Sequence, residues 1–147
     1  MRKIFFYLGV LLVSMMLFSC SALNLGKPQI PISNGCEEDL TVEFVSLIGD
    51  KVSQKVNMTI KFTNHDINKT KEIRDFKAYT LDGDIFSSSY VGERYHALTD
   101  VPVKATWEVG QMVPKKNPKL AAITFTIDDC VIEMRDVPIK WRNSEQQ

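Results

Sequence analysis

Val56-Asn57-Met58-Thr59-Ile60-Lys61-Phe62-Thr63 decides the fold. Val, Met, Ile and Phe fall on one parity, and Asn, Thr, Lys and Thr fall on the other. Successive side chains of a strand point to opposite faces, so this is a strand with one buried and one wet side. Ala121, Ile123, Phe125 and Ile127 repeat the pattern against Thr124 and Thr126, as do Val103, Ala105, Trp107 and Val109 against Lys104, Thr106 and Glu108. Upstream, Val42 and Phe44 share one parity, but Val45 and Leu47 take the other, as a bulge or a change of sheet requires. Ile73 to Leu81, Ile85 to Val91 and Val131 to Trp141 are weaker candidates.

Turn chemistry separates these runs. Gly49-Asp50 divides the first two, Asn64-His65-Asp66 ends the second, and Asp128-Asp129 separates the last two. Asp82-Gly83 between two strand candidates is a hairpin signal, and Pro114 to Pro118 marks a longer loop. No segment shows an apolar helical stripe; Thr70 to Phe76 offers one helical turn at most. About seven strands with one apolar face each must bury those faces against one another. The expected class is therefore all-β, a two-sheet antiparallel β-sandwich over residues 36–142, with a small β-barrel as the alternative. The order Cys36, Trp107, Cys130 does not keep the spacing of antibody domains, so immunoglobulin-like describes architecture only.

Upstream of this region the chain changes character. Arg2 and Lys3 precede an uncharged apolar run of 15 residues, Ile4 to Phe18, that ends at Ser19-Cys20. A basic start and a run shorter than the roughly 20 residues of a membrane span read as a secretory signal, residues 1–19. Leu17-Phe18-Ser19-Cys20 resembles the lipobox of bacterial lipoproteins, with Leu at −3, a small residue at −1 and Cys at +1; Phe18 departs from the usual small residue at −2. The resemblance implies cleavage before Cys20, acylation (palmitate or a similar chain) on Cys20, and durable attachment by two or three acyl chains. Ser21 stands where Asp would resemble an inner-membrane retention signal, which implies an outer-membrane protein facing the periplasm. No acidic cluster directly follows Cys20 to resemble a surface-export signal, and the cell surface stays open. Anchor, spacer and small β domain together are similar to the uncharacterised lipoproteins of Gram-negative bacteria, Bacteroidetes in particular.

Residues 20–35 then read as the lipidated Cys and a flexible tether, with two prolines and two glycines. The competing reading is a first edge strand carrying Ile30 and Ile32. Residues 143–147 read as a disordered tail. Of the three cysteines, Cys36 and Cys130 remain once Cys20 is lipidated, and disulfides persist outside the cytoplasm. Paired, they would join the two ends of the domain, a closure worth about 4 to 5 kcal/mol in the chain-entropy model. Unpaired, they would be two buried thiols.

The 147-residue chain carries 18 Lys+Arg and 18 Asp+Glu, so no basic excess points to nucleic acid. Removal of Arg2 and Lys3 with the signal leaves the mature chain slightly acidic. Only His65 and His96 could serve a nucleophile, no Gly-x-Ser-x-Gly elbow exists, and no H-x-x-x-H or Cys-x-x-Cys spacing suggests zinc. Acidic residues at Glu37-Glu38-Asp39, Asp82, Asp84 and Asp128-Asp129 suit calcium in kind, but they equally suit turns. No cofactor or metal is expected, and no enzyme activity. Tyr90, Arg94, Tyr95, His96 and Trp141 are the candidate binding surface, being residue types that dominate recognition when exposed. The expectation is a non-catalytic, lipid-anchored domain binding an envelope protein, peptide or glycan, with a structural subunit as the alternative and a small hydrolase third.

Overall fold

The computed structural model describes residues 30–91 and 94–143, Tyr90 by its backbone alone. The signal, Cys20, the first part of the tether and the last four residues lie outside the described residues. Eleven strands occur among the described residues: β1 (Ile32–Asn34), β2 (Leu40–Asp50), β3 (Lys55–Asn64), β4 (Lys69–Lys71), β5 (Ile73–Thr80), β6 (Ile85–Tyr90), β7 (Tyr95–Ala97), β8 (Pro102–Gln111), β9 (Lys119–Ile127), β10 (Cys130–Pro138) and β11 (Lys140–Arg142). One sheet runs β1-β10-β9-β5-β6, a second runs β11-β2-β3-β8, and β4 pairs with β7 in a short ribbon. All pairings are antiparallel except β11 on β2. The sheets do not close on themselves, so the barrel alternative fails; the arrangement is consistent with a β-sandwich.

The deciding stretch is β3. Val56, Met58, Ile60 and Phe62 are wholly buried. Thr59 is buried as well, and its hydroxyl lies 3.0 Å from that of Thr106 on β8, which offsets the loss of water. In β9, Ile123, Phe125 and Ile127 are buried, and in β8, Ala105, Trp107 and Val109. Trp107 of one sheet meets Phe76 and Phe125 of the other edge-on, at centroid distances of 5.8 and 5.7 Å. Such pairs contribute about 0.5–1.5 kcal/mol each beyond area burial, and they join the two sheets. The parity break in β2 is a bulge: register shifts between Phe44 and Ser46, leaving Val45 exposed while Leu47 returns to the core.

Four expectations change. The count of about seven strands omits β4, β7 and β11, each three residues long and too short for a period-two signal, and β1, which enters only as the competing edge-strand reading. Residues 32–34 are not tether: β1 lies along β10, Ile32 opposite Met134, so the fold begins before residue 36. Thr70 to Phe76 is extended, because β4 pairs with β7 and β5 with β9. β2 continues through Gly49-Asp50, and the turn follows at 51–54. The Asp82-Gly83 hairpin forms, with Gly83 at a left-handed φ of 90°. Cys36 and Cys130 form a disulfide, Cα to Cα 5.5 Å, so the pairing alternative holds over two thiols.

Candidate functional site: a charged cleft at one end

Strand direction gives the molecule two distinct ends. One end carries the disulfide, the 35–39 turn, the chain between β3 and β4, the β7–β8 connection and the β9–β10 turn. The other carries Ile30, the 51–54 turn, the β5–β6 hairpin, the Pro114–Pro118 loop and Arg142. A polar, open cleft of about 520 Å³ lies at the first end, lined by Thr70, Glu72, Arg74, Arg94, His96 and Asp128.

Strand alternation builds most of it. Thr70, Glu72 and Arg74 stand two residues apart and share a face, as do Arg94 and His96, with Thr70 opposite His96 in the β4–β7 pair. The opposite parity turns inward. Lys71 is nearly buried, and Tyr95, half-buried, meets Phe62 edge-on at 5.8 Å. The Lys71 ammonium is 3.2 Å from Asp128, a near-buried charge satisfied by a neighbouring turn. Asp128 has a left-handed φ of 52°, and its carboxylate also accepts from the Glu72 amide at 3.1 Å. In return the Asp128 amide donates to the Glu72 carbonyl at 3.0 Å.

Glu72 is the centre of the cleft. Its side chain is only 13% exposed, and its two oxygens divide between two guanidinium groups. Arg74 Nη2 pairs with Oε2, and Arg94 Nε lies 2.5 Å from Oε1. The hydrogen bond from Arg74 holds the Glu72 carboxyl below its ordinary range, outweighing desolvation, and the charges of Arg74 and Arg94 add to it. The same bond raises Arg74. Nearby, Lys69 and Asp66 pair at 2.9 Å; their hydrogen bond lowers the carboxyl, aided by the Ile67 amide, and raises the ammonium.

A second arrangement stands at this end outside the cleft lining. Thr41 Oγ1 is 2.8 Å from His65 Nε2, and His65 Nδ1 is 2.7 Å from Asp100 Oδ1. The order hydroxyl, imidazole, carboxylate is that of a nucleophilic triad. Here Thr41 is exposed on a strand, and Asp100 is 72% exposed, so nothing around it excludes water as such chemistry needs. The three groups tie the start of β2 to the chain beyond β3 and the β7–β8 turn.

Of the candidate surface, Arg94 and His96 line the cleft. Tyr95 turns away from it into the core, and the Tyr90 side chain lies outside the described residues, its backbone pairing with Arg74. Trp141 belongs at the other end, where its indole donates to the Asn117 carbonyl at 2.9 Å and its ring covers Gly49. It is removed from the candidate surface because its polar atom and much of its ring are already engaged. Cys20 lies outside the described residues. Sequence reading missed Thr70, Lys71, Glu72 and Arg74, and it named Asp128 only as an acidic turn residue; the usable signal was the i, i+2, i+4 repeat of Thr70, Glu72 and Arg74. Among the described residues, no three His, Cys, Asp or Glu side chains gather as metal ligands. No described helix is long and apolar enough to cross a membrane. No protein-family model, curated protein or solved structure matches this chain.

Proposed function

We propose that this chain is a non-catalytic cell-envelope protein, acylated at Cys20, whose immunoglobulin-like sandwich binds an envelope protein, peptide or glycan in the Glu72–Arg94 cleft. The observation that carries the reading is the separation of chain entry from cleft. β1 runs antiparallel to β10, so Ile30 lies at the end of the molecule opposite the β9–β10 turn. The distance along β10 is roughly 25 Å at about 3.3 Å per residue. A chain anchored upstream of Ile30 is therefore attached at the end away from the cleft, which leaves the cleft unobstructed by the attachment. Residues 20–29 supply the tether, and the lipobox with Ser21 supports the outer membrane facing the periplasm, with the cell surface as the alternative.

Intact mass of the membrane-extracted protein tests the anchor: the reading expects a chain beginning at Cys20 plus the mass of two or three acyl chains. An unmodified amino terminus there contradicts it. Pull-down with the soluble domain across several growth conditions tests the binding role, and finding no specific partner counts against it.

A structural subunit joined by strand addition is the second reading, favoured by one observation. β6 ends the five-stranded sheet and carries neither charge nor proline, whereas the β8 edge has Pro102, Lys104 and Glu108. Sizing of detergent-extracted material separates the two, since a permanent subunit never runs alone.

A further inference from the structure

We propose that the cleft recognises a carboxylate group on its ligand, taken between the guanidinium groups of Arg74 and Arg94. The proposal rests on the cleft being the binding site and names the chemistry it selects.

The charges are layered. Glu72 is 13% exposed and Asp128 31%, while Arg74 is 55% and Arg94 72% exposed. Anions form the floor and guanidinium groups form the rim, so an entering ligand meets positive charge first. Each guanidinium has five N–H donors, and Glu72 engages Arg94 through Nε and Arg74 through one Nη. The floor thus fixes both forks while leaving each with donors for a second oxyanion. Arginine forks match the two oxygens of a carboxylate, and a fork already held loses less freedom on binding. Charge balance narrows the class. Lys71, Arg74 and Arg94 stand against Glu72 and Asp128, with Asp75 also acting on Arg74, so the cleft has little net positive charge to offer. A monoanionic carboxylate suits that balance better than a dianionic phosphate. Thr70 and His96 add polar groups on the same wall.

The test uses isotope-labelled full-length protein in detergent micelles, titrated with acetyl-diglycine, acetyl-diglycinamide, glucuronic acid and inorganic phosphate. The arginine side-chain N–H signals report. Saturable shifts at Arg74 and Arg94 with either carboxylate, and none with the amide, are expected; the stronger of the two acids identifies a peptide or a sugar source. Arg94→Ala weakens binding by about tenfold, and Arg94→Lys by less, because the charge stays while the fork is lost. Arg142→Ala, at the other end, leaves it unchanged. Equal response to acid and amide, no saturable response, tighter binding of phosphate, or indifference to Arg94→Ala overturns the proposal. If cleft variants lose a pulled-down partner while carboxylates give no shift, the binding site stands and its carboxylate chemistry falls.

Discussion

The two ends of this molecule share a lacing of backbone bonds and differ in the side chains laid over it. At the far end Lys51 donates to Arg142, Met112 to Gln54 and Ile139 to Pro118, at 2.8–3.0 Å, and at the cleft end His65 donates to Asp39 and Asp100 to Asn64, at 2.8 and 2.7 Å. Trp141 lies flat over Gly49 and seals that end with an apolar ring. Ion pairs there, such as Lys119 with Asp136, stand in the open. At the cleft end, charged side chains are added to the backbone bonds and the disulfide, and two of these sets reach beneath the surface, Lys71–Asp128 and Glu72–Arg74–Arg94. Backbone bonds and packed rings are fixed in partner and direction. Arginine at a surface retains donors and water, so it can exchange partners with a ligand. One end is built to hold its shape, and the other carries groups that can respond.

Substitutions at each end sharpen the contrast. The largest effect belongs to the disulfide, which braces the cleft end. Replacing both Cys36 and Cys130 with Ser should cost about 4 kcal/mol by reopening a long loop in the unfolded chain. Denaturant midpoints measure it, and an unchanged midpoint denies the brace. At the far end, a Cβ at position 49 would overlap the Trp141 ring, so Gly49→Ala should displace the ring and cost about 3 kcal/mol. Chemical denaturation and indole fluorescence report it together.

Returning to the cleft end, Lys71→Met removes the partner of a partly exposed Asp128, at a cost of about 2 kcal/mol. A midpoint equal to wild type would show that the pair adds nothing. The smallest effect is the pH dependence of Glu72. Its carboxyl is held below the ordinary value of 4.5, so the folded chain binds fewer protons than the unfolded one in that window. The stabilisation is present above about pH 4.5 and is lost as pH falls through the lower folded value. The melting-temperature difference between wild type and Glu72→Gln should therefore shrink toward acid; a difference independent of pH contradicts the pairing.

The long strands were legible because each offers at least three inward side chains in step, as Met58, Ile60 and Phe62 do. The bulge after Phe44 was legible too, since one extra residue reverses the parity of all that follow. β4 and β7 could not be read, because a three-residue strand presents a single alternation and depends on a partner some 25 residues away. The cleft suffers the same limitation more severely. Glu72 and Asp128 are 56 residues apart, and only the pairing of β5 with β9 brings them together. Lys71 reads as a surface cation, yet parity within β4 sends it inward. Arg94 and His96, chosen by residue type, line the cleft, whereas Trp141, chosen the same way, packs as a lid at the other end. The Thr41–His65–Asp100 contact joins three separate connections, and no local spacing announces it.

The most direct test of the account compares the two ends in a single binding experiment. The full-length protein and two variants, Arg94→Ala at the cleft and Arg142→Ala at the far end, are displayed on vesicles and exposed to solubilised envelope material, and the captured partner is quantified. The account predicts retention comparable to wild type for Arg142→Ala and a loss of about tenfold for Arg94→Ala. Equal retention by both variants, or a loss confined to Arg142→Ala, would contradict it.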